Sequence, residues 1–451
     1  MNYDEFYGKS ILLLGKTRSL NANEFATLLK LHDITLQTRF EEGVALIIEG
    51  KLMNPLEQIE STRLYELQAA PIVDITSIEK WLCTSIEPNR LLMSLKLSRD
   101  HDRLCDFIQN PYITDALFFK LLKLYDWHNE GLFDNDSNRD VTAAIIGRFY
   151  VDLERNHNVQ YAMSGLAHLV EKYGNAELIT AISQLSPIAK ELKIPNDPSL
   201  KGVLDAMALH SNTPEPLLRS LLKERAYLVA HREPLALEKE LLALEDETIQ
   251  RTLAQNVMLS QEGADILEQK YPELIAAFTP LDEVRFERLM KSVIPCLIRD
   301  PFIVLDSVSE HGMTENGYGM TEDEYGMTVI VALASNSTLT VSMQERLMEM
   351  KNDAVFSALA QNSSLLHDHL ETLFSLNHYS VELAANSSLS QYHLETLYGR
   401  GEGEILKALS VNISTPVAIL YQLSLDQRYE RGVKTNPSFG KHIQTTNLGW
   451  N

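Results

Sequence analysis

An asparagine recurs through the last third of the chain at a nearly constant interval, and this repeat limits the possible folds more than any other feature. The five positions are Asn336, Asn362, Asn386, Asn412 and Asn436, which lie 26, 24, 26 and 24 residues apart. A short apolar stretch precedes each Asn, a Ser, Thr or Pro follows within two residues, and an apolar helical pattern comes next. A unit this short cannot bury its own apolar face, so the units must stack on one another as a solenoid.

Each unit is predicted to contain one full α-helix and one shorter helical turn, because strand-like alternation is absent and the unit is too short for two long helices. Ser388 and Thr415 stand where a helix should begin, and a hydroxyl there can accept a hydrogen bond from a free backbone N–H. Pro416 suits the first helical position. In the unit that contains Asn386, Leu394 and Leu397 belong to an apolar stripe at helical spacing.

The pattern of residues 329–440 resembles the leucine-rich repeat variant family, in which alternating α- and 3₁₀-helices stack into a right-handed superhelix. Weaker copies keep the apolar frame and mostly lose the Asn; they span residues 107–122, 208–222, 229–244, 253–267 and 276–290. Known members can carry an iron–sulfur cluster on a cysteine-rich segment. Here Cys83, Cys105 and Cys296 lie far apart and form no CxxC, so no such cluster is expected.

The recurring Asn residues have two possible roles. Asn prefers caps and turns, so we expect these side chains to satisfy backbone groups at the turn between two helices. A row of polar ligands is the alternative. Exposed positions on the inner helices are the better candidates for contacts with a partner.

Residues 1–90 have a different pattern, in which short apolar runs alternate with amphipathic segments. The predicted strands are residues 10–14, 33–37, 44–48 and 71–75. The predicted helices are residues 21–31, residues 55–67 and a last helix capped by Thr76. Strands that alternate with helices predict a parallel four-stranded sheet.

This order resembles a BRCT domain over roughly residues 7–88. The features that carry the resemblance are Tyr7-Gly8-Lys9 before the first strand, Gly15 after it, and Ile72-Val73 followed by Trp81 in the last strand and helix. The paired glycines that are usual before the second strand are replaced by His32-Asp33. Trp81 is expected in the core, since a large aromatic residue on an amphipathic helix is usually buried.

In BRCT domains that bind phosphopeptides, a hydroxyl, a glycine backbone and a lysine at the start of the second helix hold the phosphate. The resemblance therefore implies an anion site at Gly15, Lys16 and Thr17 with help from Lys51, at the edge where the parallel strands end. Leu14 stands where the hydroxyl is usual, and Lys16 and Thr17 could substitute for it chemically. A small protein-docking domain without a phosphate site is the alternative.

A glycine-rich acidic stretch at residues 306–328 interrupts the repeats, and Gly-Met-Thr occurs in it three times at spacings of seven. We expect a flexible insertion. A partner-binding loop is the alternative, because Met and Tyr offer adaptable apolar contacts. The side chains concerned are Met313, Tyr318, Met320, Tyr325 and Met327.

The predicted fold class is mainly α, with a small α/β domain followed by a long helical solenoid. The predicted divisions are an α/β domain at 1–90, a helical segment that begins the solenoid at 91–200, degenerate repeats at 201–305, the insertion loop at 306–328, regular repeats at 329–440 and a tail at 441–451.

Charge narrows the classes of partner. The chain has 40 basic and 62 acidic residues, a net charge of −22, and every segment is acidic. A protein that neutralises nucleic-acid phosphates needs a basic stripe, so direct nucleic-acid binding is not expected, and the same holds for anionic membrane surfaces. No apolar run approaches the ~18 residues of a membrane span, and the first residues do not form a signal peptide, which favours a cytoplasmic protein.

No catalytic set stands out in the sequence. There is no P-loop and no Ser/His/Asp arrangement, and His367 and His369 are two residues apart, which places them on different faces of a helix. We therefore predict a non-enzymatic scaffold for protein–protein interactions, without metal or cofactor. The alternative is a nucleic-acid-associated or genome-maintenance factor that binds DNA directly or is recruited to it.

Overall fold

The computed structural model describes residues 3–150, 161–297 and 322–445. They belong to two compact units, Met1–Arg232 and Glu233–Asn451. The described residues form 27 α-helices and one four-stranded sheet, which confirms a mainly α fold with a small α/β part. The division after Arg232 falls inside the segment predicted as degenerate repeats. None of these helices is both long enough and apolar enough to cross a membrane.

The first unit opens with a parallel sheet whose strands lie in the order β2-β1-β3-β4. Residues 11–14 are all apolar because β1 is central and its neighbours pair on both sides, with Ile11 opposite Leu36 of β2 and Leu46 of β3. The strands are β1 (Ser10–Leu14), β2 (Thr35–Gln37), β3 (Val44–Glu49) and β4 (Ile72–Asp74). The parallel sheet predicted from the sequence is confirmed.

Three helices cover the two faces of this sheet; they are α1 (Ala22–Leu31), α2 (Pro55–Glu66) and α3 (Ile75–Thr84). Leu64 of α2 joins Leu12, Leu14, Val44 and Ile47 in one buried cluster. Strand alternation turns Ile11 to the other face. Helices α1 and α3 each bury one face, and they pack against each other.

Helix caps account for the boundaries of these helices. Asn21 caps α1, and Asn54 caps α2 in a reciprocal arrangement with Glu57. The prediction that Thr76 caps α3 is wrong. The helix begins at Ile75, and the Asp74 carboxylate accepts from the Thr76 N–H at 2.7 Å.

Trp81 is half-buried rather than enclosed by the core. Its ring lies 4.3 Å from the ring of His32 and 5.3 Å from that of Tyr3, measured between centroids. The indole therefore packs against residues at the margin of the domain.

Nine further α-helices are described in the first unit. They are α4 (Pro88–Ser98), α5 (His101–Gln109), α6 (Asp115–Leu122), α7 (Asp136–Phe149), α8 (Met163–Tyr173), α9 (Ala176–Ser183), α10 (Ser186–Lys193), α11 (Lys201–Leu209) and α12 (Glu215–Ala230). The last of them is kinked at Arg225, whose backbone is not helical.

The second unit contains fifteen described helices. The first five are α13 (Glu238–Leu242), α14 (Glu247–Ala254), α15 (Gln261–Glu268), α16 (Pro272–Phe278) and α17 (Glu283–Leu297). The other ten are α18 (Glu322–Ser335), α19 (Val341–Glu349), α20 (Asp353–Gln361), α21 (His367–Ser375), α22 (Ser380–Ala385), α23 (Gln391–Arg400), α24 (Gly403–Val411), α25 (Val417–Ser424), α26 (Gln427–Thr435) and α27 (Pro437–Thr445).

The last ten helices form five pairs, and each pair is one repeat with an Asn after its first helix. The expectation of one full helix and one short turn per repeat is wrong, since α20 and α21 contain nine residues each. The segment before each of the first four Asn residues contains Ala and Leu, which are strong helix formers. The alternation of α- and 3₁₀-helices implied by the resemblance is not seen in residues 322–445.

One core runs through these repeats because equivalent apolar residues stack. The position three residues before each Asn is almost fully buried; it is occupied by Leu333, Leu359, Leu383, Leu409 and Val433. The position eleven residues after the first four Asn residues is buried as well, by Leu347, Leu373, Leu397 and Leu423. The neighbouring repeats shield these side chains from water.

Replacing Leu373 with Ala should lower the free energy of unfolding by about 2–5 kcal/mol, because this side chain is fully buried and its removal leaves a cavity. Leu376 lies just beyond the same helix and is 51% exposed, so Leu376→Ala should change stability by less than about 0.5 kcal/mol. Urea titration followed by circular dichroism measures both. Equal midpoints for the two variants would show that Leu373 is not part of the core.

Candidate functional site

A polar pocket opens in the first unit, at the edge of the sheet where the parallel strands end. Its volume is about 170 Å³. Arg18 and Ser19 line it from the loop after β1, and Lys51 lines it from the segment after β3. Asp106 of α5 and Asn110, directly after that helix, lie among the residues on its other side. Ligands gather at this edge in open α/β sheets, so the pocket is the candidate site of this unit.

The residues predicted to bind an anion do come together beside this pocket. The backbones of Lys16 and Lys51 exchange two hydrogen bonds of 2.7 Å. Gly15 has a φ of 84°, and a Cβ placed on it would lie 2.7 Å from the Lys51 carbonyl oxygen. Only glycine fits there, which accounts for Gly15 after the first strand.

Most backbone donors of this loop are engaged within the chain. The Gly15 N–H donates to a carboxylate oxygen of Glu57 at 3.1 Å. The N–H groups of Arg18, Ser19 and Leu20 donate to the carboxylate of Glu79 at 2.8–3.2 Å. A curved run of N–H groups is a common anion site in proteins, and here the chain supplies the anion itself.

Glu79 is fully buried on α3. Burial raises the pKa of its carboxyl group, and the backbone N–H bonds oppose that rise. Sequence reasoning missed this residue, although its place between Ile78 and Leu82 on an amphipathic helix was the available signal. Anion binding at Gly15, Lys16, Thr17 and Lys51 stays a prediction, and of the nearby cationic side chains Arg18 and Lys51 line the pocket.

The five repeat Asn residues form what we call the asparagine ladder: Asn336, Asn362, Asn386, Asn412 and Asn436. All five are buried. The side-chain oxygen of Asn362 accepts from the Ser364 N–H at 2.9 Å, which is a bond within its own turn. Its side-chain amide donates to the carbonyls of Ala334 and Asn336, at 2.9 and 2.8 Å, in the preceding repeat.

The same pair of bonds recurs along the ladder. Asn386 donates to Ala360 and Asn362, Asn412 to Ala384 and Asn386, and Asn436 to Ser410 and Asn412, all at 2.8–3.1 Å. The ladder therefore joins successive repeats as well as closing each turn. The role within the turn is the one we expected, and the bond between repeats was not foreseen.

Two arginine side chains of the first unit also donate hydrogen bonds to carbonyls at turns. Arg232 occupies the Asn position of the 229–244 copy and donates to the carbonyls of His210 and Ser211. Arg148 donates to the carbonyl of Asn110 in the 107–122 copy. At Arg232 a hydrogen bond to a turn carbonyl is kept although the side chain differs, whereas the 107–122 copy retains Asn110.

The residues on either side of each ladder Asn form an exposed ridge. They point outward because the chain around the buried Asn is extended after the helix ends. All ten are exposed and none is charged, although 23% of the chain is charged. The ridge consists of Ser335, Ser337, Gln361, Ser363, Ala385, Ser387, Val411, Ile413, Thr435 and Pro437.

The residues proposed for a partner-binding loop are only partly covered by the structure. Met313, Tyr318 and Met320 lie outside the described residues. Tyr325 and Met327 belong to α18, which begins at Glu322, so residues 322–328 are helical rather than part of a loop.

Two further features bear on chemistry. Burial raises the pKa of the Cys83 and Cys105 thiols to about 12, so both are protonated at neutral pH. No group of three or more metal-binding side chains is found in residues 3–150, 161–297 and 322–445.

Comparison with protein-family models, curated proteins and solved structures found no match for the chain.

Replacing Asn362 with Ala should destabilise the repeats by about 1–3 kcal/mol or more, because buried carbonyls of the preceding repeat lose their donor. The neighbouring Gln361 is an exposed amide, so Gln361→Ala is the matched control and should be nearly neutral. Chemical denaturation compares the free energies of unfolding of the two variants with that of the wild type. A neutral Asn362→Ala would contradict a structural role for the ladder.

If the pocket holds an anion, Arg18→Ala and Lys51→Ala should each weaken phosphoserine-peptide binding about tenfold or more, since a charged hydrogen bond is lost. Lys16 is exposed and lies beside the pocket, so Lys16→Ala should have a smaller effect. Fluorescence titration of the full chain measures this. Binding that Arg18→Ala and Lys51→Ala leave intact would place the site elsewhere.

Proposed function

We propose that the protein is a non-enzymatic scaffold that binds other proteins, and that the ridge beside the asparagine ladder is its main contact surface. The observation that supports this most directly is the absence of charge on all ten exposed ridge residues in a chain of net charge −22. Charged residues are depleted at the centres of protein interfaces, where their desolvation would oppose binding.

The ladder gives the ridge a second property that suits binding. Each ridge residue is adjacent in sequence to a buried Asn whose donors and acceptor are all engaged. A backbone fixed in this way loses little conformational entropy when a partner is bound. The ridge also includes two large apolar side chains, Val411 and Ile413, which are 52% and 53% exposed.

The α/β domain is proposed as a second docking module of the BRCT type. The strand order β2-β1-β3-β4 and the three covering helices are consistent with the resemblance in the sequence. The repeats are proposed to be related to the leucine-rich repeat variants, with a second α-helix in place of the 3₁₀-helix. Both families would suit a protein that assembles others.

Charged substitutions on the ridge test the proposal. Ser363→Arg and Ile413→Arg add charge to the ridge without touching the core. Tyr392→Arg and Leu425→Arg are matched controls, since these side chains are 71% and 81% exposed and lie outside the ridge. All four should keep the wild-type melting temperature.

Affinity capture from a native extract, read by quantitative mass spectrometry, then compares the variants. We expect a protein that is retained in stoichiometric amount by the wild type and by both controls, and is lost from both ridge variants. No stoichiometric protein partner, or one retained equally by all variants, would contradict the proposed surface.

A further inference from the structure

Helix α4 in the first unit exposes two large apolar side chains on one face. Leu91 and Leu95 bury the opposite face. Met93 is 58% exposed and Leu97 is 77% exposed. They are four residues apart and so are neighbours on the helix surface. Such a pair is a contact site for another apolar group rather than part of the core of this unit.

Three cations flank this apolar pair. Arg90, Lys96 and Arg99 are all exposed, and no acidic residue occurs between Pro88 and Arg99. Within the residues that the structure describes, no carboxylate lies at ion-pair distance from any of the three. Elsewhere in the unit, the exposed Arg63 and Arg139 are paired with acids.

The acids nearest in sequence are engaged in helix caps. Glu87 accepts from the backbone N–H groups of Asn89 and Arg90 at 3.0 and 2.6 Å. Asp100 accepts from the N–H of Arg103 at 3.0 Å. The positive charge along α4 is therefore not matched by side-chain partners from its own flanks.

Neighbouring helices do not supply the missing acids. On α5, Arg103 pairs with Glu24 and also donates to Ser94 of α4. On α6, which packs against α4, Asp115 pairs with the buried Arg148. The α4 face, which we define as Arg90, Met93, Lys96, Leu97 and Arg99, is thus a basic and apolar surface on an acidic protein.

We infer that the α4 face binds an acidic amphipathic segment of a partner protein, with apolar residues on Met93 and Leu97 and carboxylates opposite the three cations. Met is well suited to such contacts because its side chain adapts to different partners. Complementary charge selects the partner and speeds the encounter. A short acidic peptide is repelled little by the distant acids of this chain, because salt screens charges beyond about 8–10 Å.

Nucleic acid fits this surface less well. Nucleic-acid phosphates could pair with the three cations of the α4 face. Its other two side chains, Met93 and Leu97, are aliphatic, and stacking on bases needs aromatic rings. A long polyanion would also extend over the acidic remainder of the surface. The inference names a partner chemistry that the proposed scaffold function leaves open, and it concerns a surface other than the ridge.

A displayed library of acidic amphipathic helical peptides, selected on the full chain, is the probe. A library with Lys in place of every Glu is the matched control. Binding of the selected peptide is then measured by fluorescence anisotropy on the wild type, Lys96→Glu, Leu97→Ser and the control Ile59→Ser. Ile59 is 65% exposed on α2, so all these substitutions leave the core intact.

We expect enrichment from the acidic library alone, and a loss of at least about tenfold for both Lys96→Glu and Leu97→Ser but not for Ile59→Ser. Salt should weaken the binding. No enrichment, equal enrichment of the basic library, or binding that both α4 variants retain would overturn the inference. So would tighter binding of a single-stranded oligonucleotide or of anionic lipid vesicles that Lys96→Glu abolishes. The proposed ridge is tested separately, by capture on the ridge variants.

Discussion

The hydrogen bonds of the buried ladder Asn side chains are the interaction on which the regular repeats depend. A buried amide is costly unless all its groups are bonded. Asn386 meets this requirement only when the preceding repeat offers the carbonyls of Ala360 and Asn362. Its side-chain oxygen accepts hydrogen bonds from the backbone N–H and the hydroxyl of Ser388 in its own turn. Each repeat therefore needs its neighbour for polar as well as apolar reasons.

The same bonds position the surface that we propose as functional. Because every ladder Asn occupies an equivalent place, the residues on each side of it are exposed in the same register from repeat to repeat. In the first unit, the side chains of Arg148 and Arg232 also donate hydrogen bonds to carbonyls at turns.

Much of this fold was predictable from local patterns, because strand runs and the Asn interval are visible in short stretches of sequence. The helix caps expected at Thr76, Ser388 and Thr415 are not formed. The full helix before each Asn was missed, since Ala- and Leu-rich segments as short as Asp353–Gln361 are too short for periodicity to establish a helix. Glu79 was missed for another reason. Its partners at Arg18 to Leu20 lie about sixty residues away, and no local pattern shows which distant N–H groups a buried carboxylate will meet.

The Asn386→Asp variant separates the two roles of a ladder residue most directly. Aspartate can still accept from Ser388 but cannot donate to Ala360 and Asn362. If the bonds between repeats hold the array together, the free energy of unfolding at neutral pH should fall by about 2 kcal/mol or more, since two carbonyls lose their donor and face a negative charge. Stability equal to the wild type in urea titration would contradict that account.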